Sequence, residues 1–191
     1  MLYGYRSLYE DIVETVEKLR KRFHVDDPFE ACKQAGILLL PQPLGREADA
    51  IKGFYLQQNR IKTITYNSDL PTVLQRIIVA HEFGHSQLHV KKGVHAFHDV
   101  GMFDESNRYE KEANLFAAEF LLNDEEVLDT LNADNTFFSA AAVLQVPMEL
   151  LDFKFRVMKW KGYKLVEPPI TARSNFLRDV EVPYGADDYN C

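Results

Sequence analysis

The stretch at residues 77–85, Ile-Ile-Val-Ala-His-Glu-Phe-Gly-His, sets the strictest limits on how this chain can fold. Four consecutive apolar residues make a helix here apolar on nearly all sides, so the helix is predicted to be buried. Histidine and glutamate side chains in a buried helix need polar partners, because burying them alone costs free energy. Gly84 costs about 1 kcal/mol relative to alanine inside a helix, which a closely packed neighbouring element would explain. The sequence therefore predicts a buried polar site on a tightly packed helix.

The spacing of the two histidines is typical of a metal-binding helix. His81 and His85 are four residues apart, so both side chains lie on one face and can bind one ion. Glu82 is rotated by about 100° from His81 and can reach a water molecule beside the ion. His-Glu-x-x-His on a helix is a zinc-hydrolase signature in which the glutamate is the general base. The alternative, a helix with a solvated polar face, is disfavoured by the apolar residues before the motif.

A catalytic zinc site needs a third protein ligand and an open position, and the predicted helix after the motif offers Glu110 and Glu112. Glu110 and Asn114 are four residues apart and share a face. An amide one turn after a ligand carboxylate can hydrogen-bond a ligand histidine and hold its ring, which is the role predicted for Asn114. Helical phase favours Glu110, and Glu112 remains the alternative. The same helix has an apolar packing stripe at Leu115, Ala118 and Leu122.

Taken together, the two motifs resemble the ImmA/IrrE family of metallopeptidases. The first motif is His81-Glu82-Phe83-Gly84-His85 with Leu88-His89, and the second is Glu110-x-x-Ala113-Asn114-x-Phe116-Ala117-Ala118-x-x-Leu121-Leu122. The resemblance covers residues 50–122 well and 123–161 loosely. It implies that one Zn2+ ion is bound by His81, His85 and Glu110, since the family's ligand glutamate precedes the asparagine by four residues, and that Glu82 is the base.

The resemblance also implies a substrate. Members of this family are zinc-dependent intracellular metallo-endopeptidases whose typical substrates are helix-turn-helix repressors of mobile elements or stress genes, so a repressor is the expected protein partner. The sequence departs from the family where Asn123-Asp124 replaces a frequent Met-Pro, at a position that caps a helix. Because about 25 residues precede the second predicted helix, we do not expect the DNA-binding domain that some relatives carry ahead of the peptidase.

The remaining patterns predict an α+β fold: a small three-stranded sheet packed beside a helical bundle, with a zincin-like active-site helix and a second helix carrying the third ligand. We expect a metallopeptidase domain over residues 1–161, helical over about 123–161, and an extended or partly disordered tail over 162–191. Helices are predicted from a Ser7 capping box to Phe23, from the Asp27 cap to Gly36, from an Asn67-Ser68-Asp69 cap to His89, from a Ser106 cap to Leu122, and at three places within 123–161. Strands are predicted at 37–40, buried and ended by Pro41, and at 50–57 and 60–66, joined by a turn at Gln58-Asn59.

Charge and composition exclude several classes of protein. The chain has 22 basic and 29 acidic residues and a net charge of −7, whereas general nucleic-acid binders need an excess of lysine and arginine. Cys32 and Cys191 do not form a disulfide framework, and no apolar run approaches the roughly 20 residues that span a bilayer. We therefore expect a cytoplasmic protein with no membrane association and no direct nucleic-acid partner.

Two other functions stay open at this point. A regulator that binds metal and protein without cleavage is disfavoured by Glu82, which such a protein does not need. A DNA-binding protein acting through 140–161 is suggested by helix-turn-helix-like spacing and nearby basic residues. A bundle that packs on the zinc-bearing helices explains that segment better, and the net charge supports it.

Smaller expectations concern the surroundings of the site. A hairpin strand within 50–66 is positioned to pair with an extended substrate, and Gly53 would allow close backbone approach, or mark a bulge. Tyr109, His95 and His98 are candidates for stabilising an oxyanion. His89 lies on the face of the ligands and is expected either at the surface or behind them.

Overall fold

The structure is a computed structural model of the 191-residue chain and describes residues 8–47, 49–89, 104–133 and 136–177, with side chains in the third range from residue 108. Within these ranges the chain forms seven helices and three strands, which confirms the predicted α+β class. The elements are α1 (Leu8–Phe23), α2 (Pro28–Gln34), β1 (Ile37–Gln42), β2 (Gly53–Gln58), β3 (Ile61–Asn67), α3 (Thr72–Leu88), α4 (Asp104–Leu121), α5 (Asp124–Asn132), α6 (Phe137–Val143) and α7 (Met148–Trp160).

Helices α3 and α4 pack against each other at the centre of the fold. The sheet and α2 lie against α3, while α1 and α7 lie against α4. Helix α1 contributes the face predicted from its spacing, with Ile12, Val16 and Leu19 all buried. The two helices that carry the motifs are therefore covered on both sides. A second, smaller core joins α5, α6 and α7 and contains Val127, Ala140, Leu151, Phe155 and Met158.

The sheet is mixed and has the order β1-β3-β2. Strand β1 runs parallel to β3, and β2 runs antiparallel to it in a hairpin. The hairpin turns at Asn59 and Arg60, whose φ angles are 50° and 68°, one residue later than predicted. Two consecutive positive φ values are what the tight two-residue turns of twisted hairpins require.

The prediction that the first strand is buried and ends before Pro41 was wrong. Strand β1 is an edge strand in which Leu38 is 55% and Leu40 is 40% exposed, and it continues through Pro41 to Gln42. An edge strand tolerates proline because one side of it makes no ladder hydrogen bonds. Ile37 is the residue that anchors the strand in the core.

Helix caps agree with the sequence at some helices and not at others. Asp27, Asn123 and Thr136 accept backbone hydrogen bonds at the starts of α2, α5 and α6, as their residue types favour. The predicted cap of α3 was wrong, because its N-cap is Pro71 and no side chain caps it. Asn67 is instead fully buried and donates to the backbone carbonyls of Gly45 and Ile51, at 2.7 and 3.1 Å. Helix α4 begins at Asp104, before the predicted Ser106 cap.

The segment after α7 has no helix or strand between 163 and 177, yet part of it is packed. Ala172 and Phe176 are buried in the main core beside α7. Residues 178–191, the rest of the expected tail, lie outside the described residues. In the part of the chain that the structure describes, no helix combines the length and apolar character needed to cross a membrane.

Candidate metal centre

Helix α3 carries its motif in the interior of the molecule. Every residue from Ile77 to Ser86 is buried, which confirms the prediction of a buried helix. His81, Glu82 and His85 are 5%, 7% and 1% exposed. Their polar atoms are thus removed from bulk water and must be satisfied by other parts of the chain or by a bound group.

The three predicted ligand residues come together between α3 and α4. His81 Nε2 and His85 Nε2 are 3.0 Å apart, and the Glu110 carboxylate lies 3.1 Å from the first and 3.2 Å from the second. These three side chains could hold a metal ion. Ligand atoms placed tetrahedrally at about 2.0–2.2 Å from zinc lie roughly 3.3 Å from one another. The spacing of the donor atoms therefore fits a zinc ion.

Asn114 contacts the ring of His81 on the side away from the other ligands. Its Oδ1 lies 2.7 Å from His81 Nδ1, and its Nδ2 donates to the backbone carbonyl of Ser174. A carbonyl oxygen only accepts hydrogen bonds, so the amide nitrogen faces Ser174 and the amide oxygen faces His81. His81 Nδ1 then carries the proton that it donates, and Nε2 keeps its lone pair for a metal ion.

His89 orients the ring of His85, as Asn114 orients that of His81. It is fully buried, behind the ligands rather than at the surface. Its Nε2 lies 3.1 Å from the Glu112 carboxylate, and its Nδ1 lies 2.9 Å from His85 Nδ1. Because the carboxylate only accepts, His89 donates from Nε2 and accepts at Nδ1 from His85. His85 Nε2 therefore also presents a lone pair to the centre.

Glu112, the alternative third ligand, lies with His89 behind the ligands, and we call these two residues the outer row of the metal centre. Besides contacting His89, its carboxylate accepts a 2.8 Å hydrogen bond from Arg108 Nε. Sequence reasoning considered Glu112 only as a competitor of Glu110 and missed its pairing with His89. The signal was present, because His89 shares the helical face of His81 and His85, and a buried histidine there needs a partner.

Burial and the Glu110 carboxylate shift the pKa values at the centre. Burial opposes a charged His81, but the hydrogen bond and charge of Glu110 outweigh it and raise the pKa of His81. Burial dominates at His85 and lowers its pKa to about 4, so that this ring is neutral near pH 7. Burial also acts to raise the pKa of Glu110, but hydrogen bonds to both histidines hold it well below its ordinary value. An ionised carboxylate beside a neutral imidazole suits a divalent cation.

Gly84 explains why the two helices approach closely enough for one site. A Cβ atom at Gly84 would lie 3.0–3.2 Å from atoms of the Phe116 side chain on α4. That distance is tighter than ordinary contact in a packed interior. The predicted close packing at Gly84 is confirmed, and it places Glu110 within reach of both histidines.

Glu82 lies where α3 meets the edge strand β2. A Cβ atom at Gly53 would lie 2.6 Å from Ile78 Cγ2 and 3.7 Å from Glu82 Cγ. The register continues regularly through Gly53, opposite Tyr66, so the glycine serves close approach and not a bulge. The start of β2 is thus adjacent to the predicted general base.

The other residues singled out in the sequence have different outcomes. Tyr109 is half-buried and its ring centre is 4.7 Å from that of His89. His95, His98 and Cys191 lie outside the described residues. Cys32 is fully buried, and burial raises the pKa of its thiol, which agrees with its predicted packing role.

The basic residues of α7 are engaged within the chain. Lys154 is fully buried and pairs with Glu119, Arg156 pairs with Asp152, and Lys159 with Glu167. Most of α7 is buried as well. A recognition helix needs an open face that can enter a groove, so this geometry favours the bundle over the DNA-binding alternative.

Comparison with known proteins adds two findings. The model of the IrrE N-terminal-like domain, a peptidase family, matches residues 32–156. The chain is also 34% identical over 149 residues to a protein of Bacillus phage phi105 described as "Uncharacterized immunity region protein 2". That match covers 78% of this chain and 92% of the phage protein.

Proposed function

The chain belongs to the IrrE N-terminal-like domain family of peptidases, and from this premise we propose that it is a zinc-dependent metallo-endopeptidase. The convergence of His81 Nε2, His85 Nε2 and the Glu110 carboxylate, at 3.0–3.2 Å from one another, is the observation that carries the proposal. All three residues present lone pairs to one point, and the spacing suits tetrahedral zinc. A bound zinc ion would supply the electrophile that polarises the scissile carbonyl and acidifies a water molecule.

In this proposal Glu82 moves the proton. It follows the ligand His81 directly on α3, and its burial keeps the carboxylate out of bulk water. Positioned beside the site, the carboxylate takes the proton of the attacking water and returns it to the leaving amine. Asn114 and His89 take no part in proton transfer and hold the ligand rings in the orientation that points the Nε2 lone pairs at the ion.

Strand β2 is the proposed binding edge for the substrate chain. Its one described ladder is with β3, and Gly53 brings its first residue against α3 beside Glu82. An extended peptide that adds to this edge would have its backbone held by main-chain hydrogen bonds next to the general base. Cleavage within an extended segment is what an endopeptidase requires.

The proposed substrate is a helix-turn-helix transcriptional repressor, in a cytoplasmic setting. The immunity-region description of the phage relative fits this choice. The net charge of −7 also suits a basic, DNA-binding partner. A regulator that binds the repressor without cleavage is the second candidate, favoured only if the Glu82 carboxylate proves dispensable.

Substitution Glu82→Gln separates these candidates. We expect the variant to bind Zn2+ with wild-type stoichiometry by elemental analysis and to lose at least about 100-fold in cleavage rate, the scale of general-base catalysis. The assay is incubation of the zinc-loaded chain with a purified candidate helix-turn-helix repressor, followed by mass spectrometry. Equal cleavage by both proteins would refute the role of Glu82. Regulation of the repressor by both proteins without any cleavage would favour the binding regulator.

A further inference from the structure

Residues 172–177, which we call the C-terminal strap, contact the metal centre and lie after the residues that the family model matches, 32–156. The Ser174 carbonyl accepts a hydrogen bond from Asn114 Nδ2. Asn114 Oδ1 in turn accepts from His81 Nδ1. The strap is therefore separated from a candidate metal ligand by one side chain.

The strap is fixed to helix α7 by its backbone and its side chains. The Ala172 N–H donates to Asp152 Oδ2, and the Ala172 carbonyl accepts from Arg156, both at 2.9 Å. Phe176 is 4% exposed, and its ring centre lies 5.7 Å from that of Phe153. Anchors on both sides of Ser174 thus determine where its carbonyl points.

The direction of that carbonyl matters because an asparagine amide is nearly symmetric in shape. Its oxygen and nitrogen can exchange places with little change in packing, so hydrogen-bond partners decide its orientation. If Asn114 were reversed, its NH2 group would face His81 Nδ1 and require a lone pair there. The ring proton would then sit on Nε2, where it would block metal binding.

We propose that the C-terminal strap is a positioning element of the metal centre. The Ser174 carbonyl orients the Asn114 amide, and the amide selects the His81 tautomer that can bind the ion. This proposal rests on the proposed function only in requiring that Zn2+ occupies the site. It assigns a role in metal binding to a segment that follows the residues matched by the family model.

Paired phenylalanine substitutions in the full chain test the proposal. Phe176→Ala removes an anchor of the strap, while Phe155→Ala removes an equally buried ring from the second core, away from the strap. We expect Phe176→Ala to raise the Kd for Zn2+ about tenfold, the lower end for lost support of a ligand. Phe155→Ala should leave this Kd within about twofold, since Phe155 packs in the second core, beside Phe137, and distant sites act independently. Chelator competition measures both affinities, and thermal melting confirms that both variants are folded.

A rescue variant distinguishes orientation from general loosening. In Asn114→Asp both oxygens accept, so His81 Nδ1–H finds an acceptor whichever way the group turns, and no N–H remains to donate to the Ser174 carbonyl, so that the strap no longer sets the orientation. Adding Phe176→Ala to this background should therefore leave the Zn2+ Kd within about twofold. Equal losses for Phe176→Ala and Phe155→Ala, or the same tenfold loss in the Asn114→Asp background, would overturn the proposal. Absence of Zn2+ binding by the wild-type chain would instead refute the proposed function.

Discussion

Helix α4 contributes to two largely buried polar clusters that balance charge in different ways. Near the end of α4, Glu119 belongs to a group that we call the lysine cluster. It consists of the carboxylates of Glu119 and Asp124 and the ammonium groups of Lys154 and Lys161. Lys154 lies 2.7 Å and Lys161 2.6 Å from Glu119, and both also pair with Asp124. Opposite charges are equal in number, so this cluster is complete, in the sense that its own residues balance its charge. It joins α4, α5 and α7.

The metal centre, about two and a half turns earlier on α4, is not complete in this sense. Its carboxylate, Glu110, faces two imidazoles whose Nε2 atoms are 3.0 Å apart. Two such nitrogen atoms at this distance repel unless a proton or a cation lies between them. Internal neutralisation marks the lysine cluster as structural, whereas converging lone pairs mark the metal centre as a place for a cation. The two clusters should therefore respond differently to substitution.

The largest expected effect is on stability, in the lysine cluster. Lys154→Met removes a fully buried ammonium and leaves Glu119 and Asp124 to share Lys161. Breaking a buried ion pair on one side costs about 3–5 kcal/mol, and urea unfolding should show this loss while the Zn2+ affinity of the folded protein is unchanged. Lys159→Met on the same helix is the control, because its partner Glu167 is 87% exposed and such pairs contribute less than about 1 kcal/mol. If Lys154→Met lost no more stability than Lys159→Met, the lysine cluster would not be the structural cluster of the two.

The second expected effect is on metal affinity, in the outer row of the metal centre. His89→Phe keeps a ring of similar size but removes the acceptor for His85 Nδ1–H. Loss of such a partner weakens metal binding by about 10–100-fold, which chelator competition would detect. Phe120→Leu, in the apolar contact between α3 and α4, should cost stability and leave the affinity unaltered. Similar affinities for His89→Phe and wild type would show that His85 needs no orienting partner.

The smallest expected effect is a pH dependence in the lysine cluster. Burial acts to raise the pKa of Asp124, but Lys154 and Lys161 outweigh it and hold this pKa below its ordinary value of 3.8. A pKa lowered by folding contributes stability that is present above the unfolded value and lost as pH falls through the folded one. Asp124→Asn should therefore flatten the decrease in melting temperature between about pH 5 and pH 3. A decrease as steep as that of wild type would exclude this ion pair as a source of acid sensitivity.

Much of the candidate site was predictable because its signals are local. His81 and His85 share a face at a four-residue spacing, and helical phase together with the family pattern chose Glu110 over Glu112. Gly84 indicated a close helix contact, which Phe116 makes. These inferences depend on helix geometry, which is the same in every protein.

Other features were not predictable because distant residues decide them. A short apolar run cannot show whether a strand is central or at an edge, and here the run at 37–40 lies at an edge with Leu38 exposed. Asn67 has the residue type of a helix cap, yet its side chain instead joins the loop residues Gly45 and Ile51. The pairing of His89 with Glu112 joins two segments: the helical face of His89 signals that it needs a partner, but only the packing of α4 identifies that partner as Glu112.

The amino-acid sequence alone predicts a buried helix that presents two histidines and a glutamate, and a second helix that supplies a carboxylate and an amide. Periodicity and residue chemistry suffice for that, because they act over a few residues. Which nitrogen of each ligand histidine presents its lone pair to the metal centre depends on tertiary contacts. That choice depends on hydrogen bonds from Asn114 to Ser174 and from His89 to Glu112, which form only when segments far apart in the chain pack together.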